Sequence, residues 1–463
     1  MTFLVVLAAL FFLMLVAYRG FSVIIFAPIA ALLAVLVTDP ASVLPVYSGI
    51  FMEKMVVFVK LYFPVFLLGA VFGKVIELSG FSKSIVAAVI RLVGPQRAVL
   101  SIVLVSNILT YGGVSLFVVV FAVYPFAAEV FRQGNLPKRL IPGAIALGAF
   151  SYTMDALPGT PQIQNIIPTT FFHTDAYAAP WLGVIGGVFI FITGMAYLTW
   201  RMRQAAAAGE GYGTGHINEP EHVPEESLAN PLVAILPLIA VGVLNKVFTL
   251  QLPRFYGANF ETTLGGGLAP PLVIAAPPIP IWALEMALVS GIVLTLLLSF
   301  RLVTQRFSEG TRVAVLGALL ASINTATEYG FGAVIAVLPG FLVIKNALAS
   351  IPNPLVNEAI SVTTLAGITG SASGGMSIAL AALSGQFIAA ANAAGISMEV
   401  LHRVAAMASG GMDTLPHNGA VITLLAVCGL THRQSYKDIF AITVIKTSAV
   451  FVVIGVYYLT GIV

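Results

Sequence analysis

The sequence predicts an all-α polytopic membrane protein made of two inverted repeats. Each repeat holds a re-entrant hairpin and a broken transmembrane helix, for about ten crossings plus two hairpins. Three observations lead there. The chain has 463 residues, 59% of them hydrophobic and only 9% charged, where a soluble domain carries about 25% charged residues. Next, two breaks inside apolar sequence each occur twice. Gly112-Gly-Val-Ser115 returns as Gly374-Gly-Met-Ser377, and Met154-Asp-Ala-Leu-Pro158 as Met412-Asp-Thr-Leu-Pro416. Gly69-Ala-Val71 with Gly332-Ala-Val334, and Gly80-Phe81 with Gly340-Phe341, keep the same order at a nearly constant separation. Last, lysine and arginine mark the cytoplasmic ends of spans, and their positions give the matched helices opposite directions.

Composition also narrows the function. The net charge of +3 sits in loops, and no basic stripe points to nucleic acid. The single cysteine, Cys428, excludes an intrachain disulfide. Met1–Val16 lacks a basic n-region and is followed by Arg19, so it reads as a retained first helix and not a signal peptide.

In order, Thr2–Tyr18 and Phe21–Val37 are spans, and with their flanks make residues 1–49 a pair of N-terminal scaffold helices. The first repeat covers residues 50–200. It opens with the span Val56–Leu78, which runs inward to Lys74 and Lys83. Ala98–Tyr111 reaches only about 21 Å at about 1.5 Å per residue, short of a hydrocarbon core of about 30 Å. Basic residues flank both ends of 98–131 (Arg91, Arg97; Arg132, Lys138), so this stretch reads as a hairpin entered from the cytoplasm, its tip at Gly112–Ser115. The broken helix follows at 140–172. Thr160 before Pro161 has the form of an N-cap with proline at the first helical position. Residues 201–230, rich in glutamate (Glu210, Glu219, Glu221, Glu225, Glu226), form a cytoplasmic linker, and 231–311 hold connecting helices around an external Gly/Pro-rich loop. The second repeat, 312–463, has a span containing Glu328, a hairpin at 358–391 entered from outside, and a broken helix at 398–430.

Breaks in membrane-type sequence free N–H and C=O groups that lack water as a partner, so they survive only inside protein or along a cavity. Half-helix N-termini carry a positive dipole end, and two hairpin tips facing two breaks make a cradle for a carboxylate. Such a cradle needs small residues for close backbone approach, and hydroxyls or amides. Gly112, Gly113, Ser115, Thr160, Gln162 and Asn165 qualify in the first repeat; Ser373, Gly374, Gly375, Ser377, His417 and Asn418 qualify in the second. Taken singly, each serine or glycine is more often a packing residue.

Ionisable groups inside spans are functional candidates. Glu328 is the first choice for a proton carrier, about 24 Å along its helix from Arg312. Asp155 and Asp413 occupy equivalent places and could take up a proton or ligate sodium, or simply cap the broken backbone. His417 has no counterpart in the first repeat, where Gly159 stands, and its imidazole suits a proton or substrate ligand.

Gly112-Gly-Val-Ser-Leu-Phe117, Pro158-Gly-Thr-Pro-Gln-Ile-Gln-Asn165 and Met412-Asp-Thr-Leu-Pro-His-Asn-Gly-Ala420 resemble motifs of the gluconate permease (GntP) family of the ion transporter superfamily. The resemblance covers nearly the whole chain and is closer to the branch linked to 3-hydroxybutyrate-type substrates. The proline- and histidine-rich segment of the gluconate carriers is missing from the first half. The family implies cation-coupled, usually proton-coupled, uptake of sugar acids and short hydroxycarboxylates. The superfamily implies a homodimer with a scaffold domain and a transport domain that moves as an elevator. The expected setting is the bacterial inner membrane, with a small carboxylate and H⁺ (or Na⁺) as partners and no cofactor or metal. A sodium-coupled carrier on the same fold stays open. An intramembrane enzyme is disfavoured by the lack of a nucleophile elbow, a His-Glu metal motif or a Cys/His cluster. A channel is disfavoured because paired inverted breaks suit alternating access around one central site.

Overall fold

In a computed structural model the described residues are 2–19, 21–94, 97–220, 228–257, 259–262, 272–275 and 278–463. The acidic residues Glu221, Glu225 and Glu226 of the linker lie outside them.

The elements follow the expected order. α1 (Thr2–Tyr18) and α2 (Val23–Thr38) pack together. After a tight turn at Asp39, α3 (Val43–Val46) and a π-helical stretch (Tyr47–Met52) run into α4 (Glu53–Leu78). α5 (Phe81–Val93) leads to the first hairpin, α6 (Ala98–Tyr111) and α7 (Leu116–Gln133). The first broken helix consists of α8 (Ile141–Ala149), the single turn α9 (Tyr152–Asp155) and α10 (Ile163–Phe172), and α11 (Pro180–Ala207) returns. α12 (Pro231–Ala234) and α13 (Leu236–Tyr256) precede a two-stranded antiparallel ribbon, β1 (Asn259–Thr262) and β2 (Leu272–Ala275), in the loop read as external. Then come α14 (Ile279–Gln305), α15 (Phe307–Val337) and α16 (Phe341–Ala349). The second hairpin is α17 (Pro354–Thr369) with α18 (Ala372–Ala393). The second broken helix is α19 (Met398–Ser409) with α20 (Gly419–Cys428), and α21 (His432–Thr460) ends the chain.

Seven helical stretches among the described residues are long and apolar enough to cross a membrane by themselves. Two of them, Leu116–Gln133 and Ala372–Ala393, are the second arms of the hairpins. Neither broken helix qualifies as one piece, because each is split into two short halves. Among the described residues the ribbon is the one departure from an all-helical chain, and the sequence did not suggest it.

Helix starts obey local chemistry. The Asn230 and Asn353 side chains cap α12 and α17 ahead of a proline at the first helical position, and Thr431 with Gln434 forms a capping box on α21. The first broken helix departs from expectation here. Its second half begins at Ile163 with Gln162 at the N-cap, two residues beyond the Thr160–Pro161 start. The Thr160 hydroxyl is turned inward, away from the start of the helix, donating to the Thr153 carbonyl at 2.7 Å.

Two groups of helices emerge. α4 packs along α15 and α14, α13 along α14, and α2 along α15. The hairpins and broken helices assemble with α11 and α21: α6 on α8, α17 on α18 and α19, α10 on α19, and α11 on α21. α15 against α18 is the broadest seam between the groups. Large apolar side chains point outward on the first group, among them Phe11, Leu33, Leu297, Phe300, Leu316 and Leu320. In water such a surface would be unfavourable; it is what a helix bundle presents to lipid.

The linker is stitched down on its own side. Glu210 accepts two hydrogen bonds from the Arg139 guanidinium, both at 2.7 Å. Glu219 accepts from buried Lys138 at 2.8 Å and from the Tyr212 hydroxyl at 3.0 Å. Asp438 at the start of α21 gathers Arg201 at 2.6 Å and Arg139 at 3.3 Å. The Arg139 hydrogen bonds hold the Glu210 carboxyl below the ordinary glutamate range.

Candidate functional site

Each hairpin tip is tied to the break of its own repeat by an amide at the start of a half-helix. In the first repeat, Gln162 donates through Nε2 to the Thr110 carbonyl at 2.8 Å, and the Tyr111 hydroxyl donates to the Pro158 carbonyl at 2.8 Å. The tip turns at Gly113, whose φ of +93° is left-handed and favours glycine. In the second repeat, Asn418 donates through Nδ2 to the Gly370 carbonyl at 2.7 Å. Its Oδ1 accepts from the Ala420 and Val421 amides at 2.7 and 3.0 Å. One side chain therefore caps α20 and holds the hairpin.

The second tip sits earlier than the sequence match suggested. Gly370 takes the left-handed turn (φ +65°) and Ser371 caps α18, accepting from the Gly374 amide at 3.1 Å. Gly374 and Gly375 are thus in the first turn of α18, whereas Gly112 and Gly113 are in the turn itself. The small residues are still required. A Cβ on Gly374 would collide with the Glu328 carboxylate, and one on Gly370 with the His417 ring. Ser373 meets the Thr325 hydroxyl of α15 at 3.3 Å, and Ser377 is fully buried.

Glu328 is 3% exposed on α15, at the seam between the two helix groups. Its carboxylate lies beside the N-terminal turn of α18, the positive end of that helix. Oε2 accepts no hydrogen bond among the described residues.

The first-repeat candidates separate. Gly112, Gly113, Ser115 and Gln162 cluster at the tip. Thr160 and Asn165 are fully buried and knit the break together: Asn165 donates to the Thr160 and Ala176 carbonyls at 3.0 and 2.8 Å. The two matched aspartates also have different surroundings. Asp413 is ion-paired with Lys446 of α21, while the Asp155 carboxylate presses on Gly410 in the opposite break, where no Cβ would fit.

The broken helices cross here, and two buried cations bind the crossing. Arg403 of α19, fully buried, donates to the Asp155 carbonyl at 3.1 Å, to Asn165 Oδ1 at 2.9 Å and to the Ala178 carbonyl at 2.7 Å. Beside it His402 bridges Asn165 Oδ1 (3.2 Å) and the Thr174 hydroxyl (2.6 Å). Lys446 reaches the Phe150 carbonyl at 2.9 Å. Arg403, His402 and Lys446 are absent from the sequence-derived candidates, although ionisable residues in apolar runs were a sufficient signal.

A cavity of about 680 Å³ opens elsewhere, where α10, α18 and α19 meet α13 and α14 at the end read as external. None of the candidate residues lines it. The carboxylates Asp175 and Glu399 stand in its wall and disfavour an anion there.

Comparison with known proteins agrees with this architecture. No family model matches the chain. It is 58% identical over 473 aligned positions to the uncharacterized transporter YxjC of Bacillus subtilis (strain 168), covering 100% of both chains. Two solved transporters share the fold. The YdaH transporter of Alcanivorax borkumensis, described as having an unusual topology, aligns over 89% of this chain and 88% of its own with a TM-score of 0.51 at 14% identity. MtrF of Neisseria gonorrhoeae, one of a class of antimetabolite efflux pumps, aligns over 88% of this chain and 82% of its own with a TM-score of 0.55 at 13% identity.

Proposed function

The chain belongs to the transporter family of Bacillus subtilis YxjC, a multi-pass protein of the bacterial plasma membrane, and from that premise we propose that it is a proton-coupled symporter of a small hydroxycarboxylate. The observation that carries this reading is Glu328. It is a buried carboxyl with an oxygen that accepts no hydrogen bond among the described residues, set against the first turn of the second hairpin. That turn is also where a substrate carboxylate would be held by backbone amides. Two ionised carboxylates cannot share so small a region cheaply. An arriving substrate anion therefore favours a proton on Glu328, and a proton on Glu328 favours the anion. This is symport expressed as mutual charge compensation.

In this reading Gly112, Gly113, Ser115 and Gln162 form one wall of the substrate site, and Ser373, Gly374, Ser377, His417 and Asn418 the other. Thr160, Asn165 and Gly375 support it from behind. The group around α4, α13, α14 and α15 serves as scaffold and homodimer platform. The hairpin and broken-helix group moves against it along the α15–α18 seam as an elevator. The resemblance of the Gly112–Phe117, Pro158–Asn165 and Met412–Ala420 motifs to the 3-hydroxybutyrate-type branch of the gluconate permease family supports a short hydroxy acid as substrate.

The test is uptake of labelled 3-hydroxybutyrate into proteoliposomes under an inward proton gradient without sodium, with gluconate as competitor. Accumulation that collapses with a protonophore is expected. Accumulation only after sodium is added would replace the proton by sodium on the same fold. No accumulation in either condition would remove 3-hydroxybutyrate as substrate.

A further inference from the structure

The Lys446–Asp413 pair has a composition that the transport reading leaves unexplained. Lys446 is 2% exposed, and its ammonium is held by two oxygens of different origin. One is the Asp413 carboxylate, in the break of the second repeat. The other is the carbonyl of Phe150, the residue that ends half-helix α8 in the first repeat, at 2.9 Å. Carboxylate oxygens combined with a freed carbonyl at a half-helix C-terminus are the ligands with which broken-helix transporters hold a monovalent metal cation. An ammonium on a side-chain stem supplies the same charge to the same oxygens. It differs in one respect: it cannot leave.

Stability is a weak reason for such a pair. Replacing a buried ion pair by packed apolar side chains is often neutral or stabilising, whereas removing one partner alone is costly. We propose that the Lys446 ammonium is a tethered cation occupying a monovalent-cation site built from Asp413 and the Phe150 carbonyl, and that removing it opens that site to sodium. The proposal rests on the transporter reading above and deepens it. A site filled from within the chain contributes no exchangeable ion to the transport cycle.

The experiment uses the purified full-length protein in detergent, melted in increasing NaCl against choline chloride at equal ionic strength. Wild type is expected to melt at the same temperature in both salts. Lys446→Ala is expected to melt lower in choline and to rise saturably with sodium, and Asp413→Asn added to it should abolish that rise. Should the alanine variant not be recovered, Lys446→Gln, which keeps an N–H for the Phe150 carbonyl, takes its place in the same comparison. A saturable sodium shift in wild type would overturn the proposal. So would a Lys446 variant equally destabilised in both salts. The readout needs no substrate and no proton gradient, so its failure and the failure of the symport reading are separate results.

Discussion

Asn418 offers the sharpest test of how a broken helix and a hairpin are joined. Its Oδ1 caps α20 through two amides, and its Nδ2 holds the Gly370 carbonyl at the hairpin tip. Serine keeps the first role, being a good N-cap, but is too short for the second. Asn418→Ser therefore leaves the buried Gly370 carbonyl without its donor, a loss of about 1–3 kcal/mol. Asn418→Ala loses the cap as well, about 1 kcal/mol more. Unfolding in mixed SDS micelles, followed by far-UV circular dichroism, should show the serine variant shifted by roughly 5- to 150-fold in its equilibrium. The alanine variant should be shifted further. Proteolysis at the hairpin tip should accelerate in both. If serine is indistinguishable from wild type, the tether contributes nothing. If serine and alanine are equal, the cap contributes nothing, and the double role of Asn418 is refuted.

Other outcomes follow from the same geometry. Glu328→Gln should abolish stimulation of uptake by a proton gradient while preserving substrate exchange at equal pH on both sides; unchanged gradient-driven uptake would remove Glu328 from coupling. Gly374→Ala should be destabilising because its Cβ displaces the Glu328 carboxylate from its place beside α18, and Glu328→Ala in the same chain should relieve most of that loss; additive costs in a double-mutant cycle would refute the contact. The Glu210 carboxyl is held below its usual value by Arg139. Its contribution to linker anchoring is thus present above the unfolded glutamate pKa of about 4.3 and lost as pH falls through the lower folded value. Linker cleavage by an acid-active protease should rise in that window for wild type, and cleavage by a neutral protease should be already raised at neutral pH in Glu210→Gln.

Much of this arrangement was readable in the chain because it follows from local chemistry. A short apolar arm ending in Gly112-Gly113, and a Met-Asp-x-Leu-Pro run inside a span, force breaks wherever they occur, and both breaks appear where the residues require. Boundaries were less secure. Thr160 before Pro161 has the form of a helix start, yet its hydroxyl is satisfied by Thr153, and the helix waits for Gln162. Gly374-Gly375 looks like a turn, but Ser371 caps the helix first and encloses both glycines. What sequence could not supply was pairing between repeats. Asp155 and Asp413 are alike as letters and differ because Lys446 lies beside one and Gly410 beside the other. That difference is set by how α19 and α21 cross the first repeat, which no local pattern encodes.

The crossing also has a consequence in time. Arg403 is 248 residues downstream of the Asp155 carbonyl it satisfies. At a synthesis rate of about 5–20 residues per second, the first break must exist for about 12–50 s before its guanidinium leaves the ribosome. Throughout that interval the Asp155 and Ala178 carbonyls lack the donor that Arg403 supplies and have no favourable place in hydrocarbon. The nascent first half must therefore stay where water or the insertion machinery can serve those carbonyls. Slowing translation between the two halves should lengthen its exposure to membrane proteases.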